Sequence, residues 1–209
     1  MDSDPSLHAL VLAAGASRRF GSPKQLVRIN GRPLLHAVVS RAVAVAGHSV
    51  SVVLGAHANE LAGLLGHSGA TIVINRDWEE GIASSLRSGL TRVPGAIDGV
   101  LVLLADQPAI GVEDLRRMVE AWRGNPQCLV AAQYAQAIGV PAIFPRWCLS
   151  ELAQLRGDRG AQLILHRHLD RLIRVALPNA AIDIDTPEDL LALQPKLIAP
   201  DGSESPGMR

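Results

Sequence analysis

Three groups of residues in this chain carry charge or backbone freedom of a kind that could do chemistry. The first lies in LVLAAGASRRFGSPKQL, residues 10–26. There an apolar run gives way to Ala13, Ala14, Gly15, Ala16 and Ser17, then to Arg18 and Arg19, then to Lys24 beside Pro23. Small residues let a ligand approach the backbone, whose N–H groups cradle phosphate oxygens. Arginine offers a fork of donors suited to phosphate, and lysine a mobile point charge. The chain has 18 arginines but only two lysines, Lys24 and Lys196, which makes Lys24 the only lysine of the expected folded body. A solvated loop with surface arginines is the plain alternative. The spacing fits neither G-x-x-x-x-G-K-[ST] nor G-x-G-x-x-G.

The second group is Asp106, closing the apolar run DGVLVLLADQP (98–108). A carboxylate there is costly unless it has a partner or a task. It is either a helix cap or paired structural acid, or a ligand for Mg²⁺, which takes one or two carboxylates with phosphates and water. The third is the pair Asp183 and Asp185 in IDIDTPEDL, with Asp183 also open to a structural role. Gly81, Ser84 and Ser85 in GIASSLRSGL, and Asp158 and Arg159 in GDRGAQ, can be turn and cap residues or ligand contacts.

These groups need a scaffold, and the pattern predicts an α/β one. HALVLAAG (8–15), SVSVVLGA (49–56), ATIVINR (70–76) and residues 98–108 read as buried strands. Helices are expected over 32–47, with Pro33 in the first turn and Gly47 as the stop, over 58–66, within 81–93, and over 111–124. Near-continuous apolar strands alternating with helices imply a mostly parallel sheet covered on both faces, with right-handed crossovers. In the second half, CLVAAQYA and VPAIFPR are expected to pair antiparallel, RGAQLILHRHL to be helical, and LIRVAL and AIDID to be strands. Thr186 as N-cap, Pro187 at N1 and Glu188 and Asp189 in the first turn signal a last helix. In such a sheet, ligands bind outside the carboxyl ends of the strands.

Composition narrows the function. Hydrophobic residues are 48%, charged residues 19% and aromatics 3%, with zero formal net charge. The core must be aliphatic, and neither a basic nucleic-acid surface nor a base-stacking platform is supported. Trp78, Trp122 and Trp147 are read as packing residues. Cys128 and Cys148 have no partner at metal-ligand spacing, which fits a reducing compartment. No signal peptide or membrane span is recognisable. The expectation is a soluble cytoplasmic protein with residues 1–6 disordered, a single domain over 7–195 and a disordered tail over 196–209. His166 and His168 are at i and i+2 on a helix and do not face each other.

The opening loop resembles the signature L-A-[AG]-G-x-S-x-R-[MF]-G-x-x-K of nucleotidyltransferases related to those that mature the molybdenum cofactor (MobA-like NTP transferases). GIASSLRSGL (81–90), LVLLADQP (101–108), GVPAIFPR (139–146), GDRGAQLIL (157–165) and IDIDTPEDL (182–190) resemble family segments in the family's order, over about residues 8–194. The resemblance implies a Rossmann-like three-layer fold of the nucleotide-diphospho-sugar transferase type, with a small antiparallel insertion and 7–195 as the nucleotidyltransferase domain. Ala14, where the guanylyl-transferring branch has a second glycine, makes the chain most similar to the molybdopterin cytidylyltransferases (MocA-like). By that resemblance, a methyl there would narrow the base pocket and favour a pyrimidine over a purine.

The resemblance implies transfer of CMP from CTP to the terminal phosphate of molybdopterin, with release of pyrophosphate. Lys24, Arg18 and Asp106 would be catalytic. Ala13, Ala14, Gly15, Ala16, Ser17, Arg19, Gly81, Ser84 and Ser85 would hold the nucleotide, and Asp106 and Asp185 would hold Mg²⁺. A molybdoenzyme of the xanthine dehydrogenase type would receive the product, with no nucleic-acid or membrane partner. Alternatives are guanylyl transfer, cytidylyl transfer to another phosphorylated acceptor, or a carrier of the cofactor without chemistry. An oxidoreductase finds no nicotinamide or flavin fingerprint here.

Overall fold

A computed structural model describes residues 4–198. β1 (Leu7–Ala13) leads into the glycine-containing loop and a two-residue hairpin, β2 (Arg28–Ile29) and β3 (Arg32–Pro33). Then follow α1 (Leu34–Ala46), β4 (Val50–Leu54), α2 (Ala58–Leu64), β5 (Thr71–Ile74), α3 (Ile82–Leu90), β6 (Gly99–Leu104) and α4 (Val112–Gly124). The second half holds β7 (Leu129–Tyr134), β8 (Ala137–Pro145), α5 (Leu149–Leu152), α6 (Gln162–Arg167), β9 (Leu172–Ala176) and α7 (Pro187–Ile198).

Seven strands form one sheet in the order β5-β4-β1-β6-β8-β7-β9, and β2–β3 forms a small antiparallel sheet beside it. β1 runs parallel to β4 and β6, β4 to β5, and β7 to β9. β8 is antiparallel to both neighbours, with a register shift at Ala131/Ala132. The antiparallel pair expected in the second half therefore lies inside the main sheet.

Period-two alternation in β1 explains the layers. Ala9, Val11 and Ala13 face α1, α4 and α7, packing with Leu35, Met118 and Leu193. Leu10 and Leu12 face α3, α5 and α6, packing with Leu86, Leu152 and Ile164. Burying side chains such as Leu10 and Leu35, both fully inaccessible, stabilises the fold by about 1.5–3 kcal/mol each. Helix α3 approaches so closely that a Cβ on Gly89 would meet Val53 at 2.9 Å as well as the Leu10 side chain.

Several boundaries differ from the sequence pattern. β6 ends at Leu104, so Asp106 occupies the turn beyond it. Pro33 is the N-cap of α1 and lies in β3 rather than in the first turn, its extended backbone being compatible with a strand edge. AIDID is not a strand. β9 already pairs with β7 at the sheet edge, and residues 178–181 form a 3-10 turn that leads into an irregular segment. Ser6 is anchored within the expected disordered start, its N–H and Oγ donating to Asp98 Oδ2 at 2.8 and 2.7 Å. Residues 196–198 belong to α7, and 1–3 and 199–209 lie outside the described residues.

Candidate active site

The sheet order reverses at β1, whose neighbours β4 and β6 lead the chain away in opposite directions. That divergence leaves a crevice at the carboxyl ends of β1 and β6. A cleft of about 450 Å³ occupies it, lined from one side by residues 12–19 and from the other by Leu104, Ala105, Asp106 and Asp185.

The loop after β1 is held open by a side chain that the sequence pattern does not single out. Gln25 is buried, and its Nε2 donates to the carbonyls of Ala13 (3.3 Å) and Gly15 (3.0 Å). Its Oε1 accepts from Ser17 Oγ at 3.3 Å, and Ser17 Oγ accepts from the Lys24 N–H at 3.2 Å. Ser17 adopts φ +53, a left-handed conformation that these bonds sustain. With carbonyls turned inward to Gln25, the N–H groups of Gly15 through Arg18 donate to no acceptor among the described residues. Such a row of free donors suits an anion.

At the cleft floor, Lys24 Nζ joins two acids brought from distant parts of the chain: Asp106 Oδ2 at 2.8 Å and Asp185 Oδ1 at 2.9 Å. Arg19 Nη2 takes the other oxygen of Asp185 at 2.8 Å. Arg18 pairs with Glu79 at 3.6 Å, both of them exposed. Burial works against the Lys24 charge most strongly, but the two carboxylates outweigh it and hold the ammonium above its ordinary value. The Lys24 hydrogen bond in turn holds the Asp185 carboxyl below the usual range. Asp183 is pushed up to about 6, by burial first and then by the Asp106 and Asp185 charges. The backbone fixes this arrangement, since the Ile184 N–H donates to the Asp106 carbonyl at 3.0 Å. Asp189, in the first turn of α7, accepts from the N–H groups of Asp185 (3.0 Å) and Thr186 (2.8 Å).

The opposite wall joins two segments that are separate in sequence. Gly81 has φ +116, and a Cβ there would meet Asp158 Oδ1 and the Gly157 carbonyl, the latter at 2.6 Å. The Ala83 N–H donates to the Gly157 carbonyl, and Arg87 Nη1 to the Leu155 carbonyl. Gly81, Ser85 and Asp158 therefore share one face of the cleft. Ser84, expected to face a nucleotide, does not line it. Its hydroxyl donates to the Gly81 carbonyl and accepts from the buried Asn75 Nδ2, which also reaches Ser85. Trp78, expected only to pack, lines the cleft edge as well as covering Gly55. Arg159 is not among the lining residues, whereas Asp158 is.

Two residues beyond the expected set thus shape the site, Gln25 and Gln107. Gln107 is buried, and its Nε2 donates to the carbonyls of Val140 (3.2 Å) and Ala180 (3.0 Å), tying the Asp106 turn to β8 and to the segment carrying Asp185. Neither stands out in the sequence, Gln25 following Lys24 and Gln107 lying between Asp106 and Pro108.

The cleft lining carries three cations (Arg18, Arg19, Lys24) and four acids (Glu79, Asp106, Asp158, Asp185). Its excess is therefore negative, and a polyphosphate entering it would need an added cation. Asp106 Oδ1 is buried without a hydrogen-bond partner, and Asp106 and Asp185 converge on one cationic atom. This donor set fits a hard divalent ion completed by phosphate and water oxygens. No cluster of three or more His, Cys, Asp or Glu suited to a metal exists among the described residues, so protein ligands alone do not complete such a site. None of the described helices is long and apolar enough to cross a membrane.

Comparison with known proteins places this geometry in context. Residues 9–172 match the model of the MobA-like NTP transferase domain. Nicotine blue oxidoreductase of Paenarthrobacter nicotinovorans is 29% identical, the alignment covering 92% of this chain and 98% of that protein. A "Probable molybdenum cofactor guanylyltransferase" of Nostoc sp. is 28% identical over 90% of this chain and 91% of its own. Among solved structures, Rv0371c of Mycobacterium tuberculosis H37Rv superposes with a TM-score of 0.80 at 28% identity, over 92% of this chain and 100% of that one. A second structure of Rv0371c is a complex with manganese, with a TM-score of 0.76 and 28% identity over 91% and 98% of the two chains.

Proposed function

The chain belongs to the MobA-like NTP transferase family, and from that premise we propose that this nucleotidyltransferase moves CMP from CTP to the terminal phosphate of molybdopterin in a Mg²⁺-dependent reaction. The observation that carries the proposal is the convergence of Lys24, Asp106 and Asp185 beside a row of free backbone amides. A terminal phosphate attacks the α-phosphorus in line and pyrophosphate leaves. The attacking oxygen is already anionic near neutral pH, so catalysis rests on positioning and on stabilising charge.

The residues divide that work. The amides of Gly15 through Arg18 and the Arg18 guanidinium bind the β- and γ-phosphates, and Lys24 meets the charge growing around the α-phosphate. Asp106 and Asp185 would hold Mg²⁺, which when bound neutralises phosphate charge and orients the triphosphate. Gly81, Ser85 and the Ala14 methyl border the base and ribose. Ala14 is held in place: it is buried, and its carbonyl accepts from the Ala56 N–H at 3.1 Å. A fixed methyl favours the smaller pyrimidine, in line with CTP over GTP. The product would pass to a molybdoenzyme of the xanthine dehydrogenase type.

Equilibrium binding of CTP, GTP and ATP with Mg²⁺, in wild type and Asp106→Ala, tests this assignment. CTP preference that needs the metal and weakens in the variant is the expected result, followed by pyrophosphate release with molybdopterin. Preference for GTP would overturn the base assignment, and CTP binding without turnover on molybdopterin would overturn the acceptor. Indifference of binding to Mg²⁺ would overturn the metal role.

A further inference from the structure

We propose that Lys24 is an internal stand-in for the divalent cation: without nucleotide its ammonium holds Asp106 and Asp185 together, and it leaves them for the phosphates when metal and nucleotide bind together. The inference rests on the reading above that Asp106 and Asp185 are the metal ligands.

The geometry is specific to this lysine. Its Nζ is within 2.9 Å of one oxygen from each carboxylate. A divalent ion of the Mg²⁺ class sits about 2.0–2.1 Å from its carboxylate oxygens. The ammonium and the ion cannot both occupy those oxygens, because two like charges would then lie within contact distance in a partly buried site. Lys24 has the means to move, since only its side chain enters the cluster. Its backbone N–H stays fixed on Ser17 Oγ, and four flexible carbons carry the charge. Arg19 cannot take its place on Asp106, being engaged with Asp185 Oδ2 from the exposed side.

Releasing the ammonium is unfavourable unless another anion receives it, and the triphosphate beside the free loop amides is that anion. Metal and nucleotide therefore raise each other's affinity, and by linkage the factor is the same in both directions. The arrangement also discourages either ligand alone. Metal alone must displace a charge-assisted pair, and nucleotide alone meets a cleft with excess acid.

The test uses Mn²⁺ alone as the probe, with the free ion followed by its electron paramagnetic resonance signal. Full-length wild type, Lys24→Met, Lys24→Gln and Lys24→Arg are titrated first without nucleotide. Removing the ammonium should tighten Mn²⁺ binding by about 10- to 100-fold, the worth of a hydrogen bond to a charged group. Lys24→Arg, which keeps the charge, should stay near wild type. Adding CTP should tighten binding in wild type and much less in Lys24→Met. Asp106→Asn combined with Lys24→Met should lose the gain, which locates the ion at these carboxylates. Equal Mn²⁺ affinity in wild type, Lys24→Met and Lys24→Gln overturns the proposal. A gain in Lys24→Met that survives Asp106→Asn overturns it as well. Both results are independent of turnover, so they separate this inference from the assignment of CTP and molybdopterin.

Discussion

Gly81→Ala is the substitution whose consequence the structure specifies most fully. Gly81 precedes α3 at φ +116 and ψ −178, a region open essentially to glycine, and holding another residue there costs about 1–3 kcal/mol. The new methyl would also stand 2.6 Å from the Gly157 carbonyl carbon and oxygen, in backbone that cannot swing aside as a side chain would. Overpacking of this kind costs about a further 1–3 kcal/mol. The combined cost of about 2–6 kcal/mol is a large share of a typical folding stability of about 5–15 kcal/mol. Urea denaturation should show a lower midpoint with an unchanged slope. If the Gly157–Asp158 loop yields instead, part of the cost should reappear as weaker nucleotide binding, because Asp158 and Gly81 share a wall. Gly15→Ala is the control: its Cβ meets nothing within 4 Å, so stability should hold within about 0.5 kcal/mol while binding falls, since that methyl enters the amide row. A Gly81→Ala protein with both wild-type stability and wild-type nucleotide affinity would refute the reasoning.

Three further outcomes are expected. Gln25→Leu leaves the Ala13 and Gly15 carbonyls without their donor, an expected loss of about 1–3 kcal/mol in denaturation for the buried Ala13 carbonyl, and the nucleotide KM should rise as the loop relaxes. Gln107→Leu strips the Val140 and Ala180 carbonyls in the same way; it should lower kcat through misplacement of Asp185, read in a steady-state assay, and an unchanged kcat would count against the positioning role. Burial lowers the pKa of His8, whose ring lies between Ser49 Oγ and Ser51 Oγ. The unfolded chain therefore takes up the proton first. The contribution of His8 is full above its ordinary value of 6.5 and is lost as pH falls through the lowered folded value. Melting temperature should decline below that pH in wild type, and more gently in His8→Gln.

The fold was legible wherever periodicity had one physical meaning. β1, β4 and β6 are apolar on both faces because helices cover both, and the α7 start was readable from Thr186-Pro187-Glu188-Asp189 because capping is local. AIDID misled for a related reason. Its alternation of Ile with Asp mimics a half-buried strand, yet the edge position beside β7 was already filled by β9, and pairing partners are not written in a five-residue window. The same limit shortened DGVLVLLADQP: its ladder with β1 closes at the pair Leu12–Leu104, and Ala105 and Asp106 already belong to the turn.

The site divided along the same line. Residue types announced Lys24, Asp106 and Asp185, because a lone lysine and acids closing apolar runs are conspicuous. Their partnership was not announced, since Lys24 meets Asp106 across 82 positions and Asp185 across 161. Ser84 and Ser85 illustrate the cost of that blindness. Adjacent in sequence and alike in chemistry, they separate on a helix by about 100°, and only Ser85 reaches the cleft while Ser84 turns back to the Gly81 carbonyl. Gln25 and Gln107 make the complementary point. Neither carries charge or an obvious reaction, yet each is a buried amide satisfying two backbone carbonyls at a strand end. Such a residue can be justified only by what it holds in place, and here that is the amide row and the pair of carboxylates. The charged groups that gather in the cleft were recognisable by their chemistry, whereas those that aim them become recognisable only once the carbonyls they serve have positions in space.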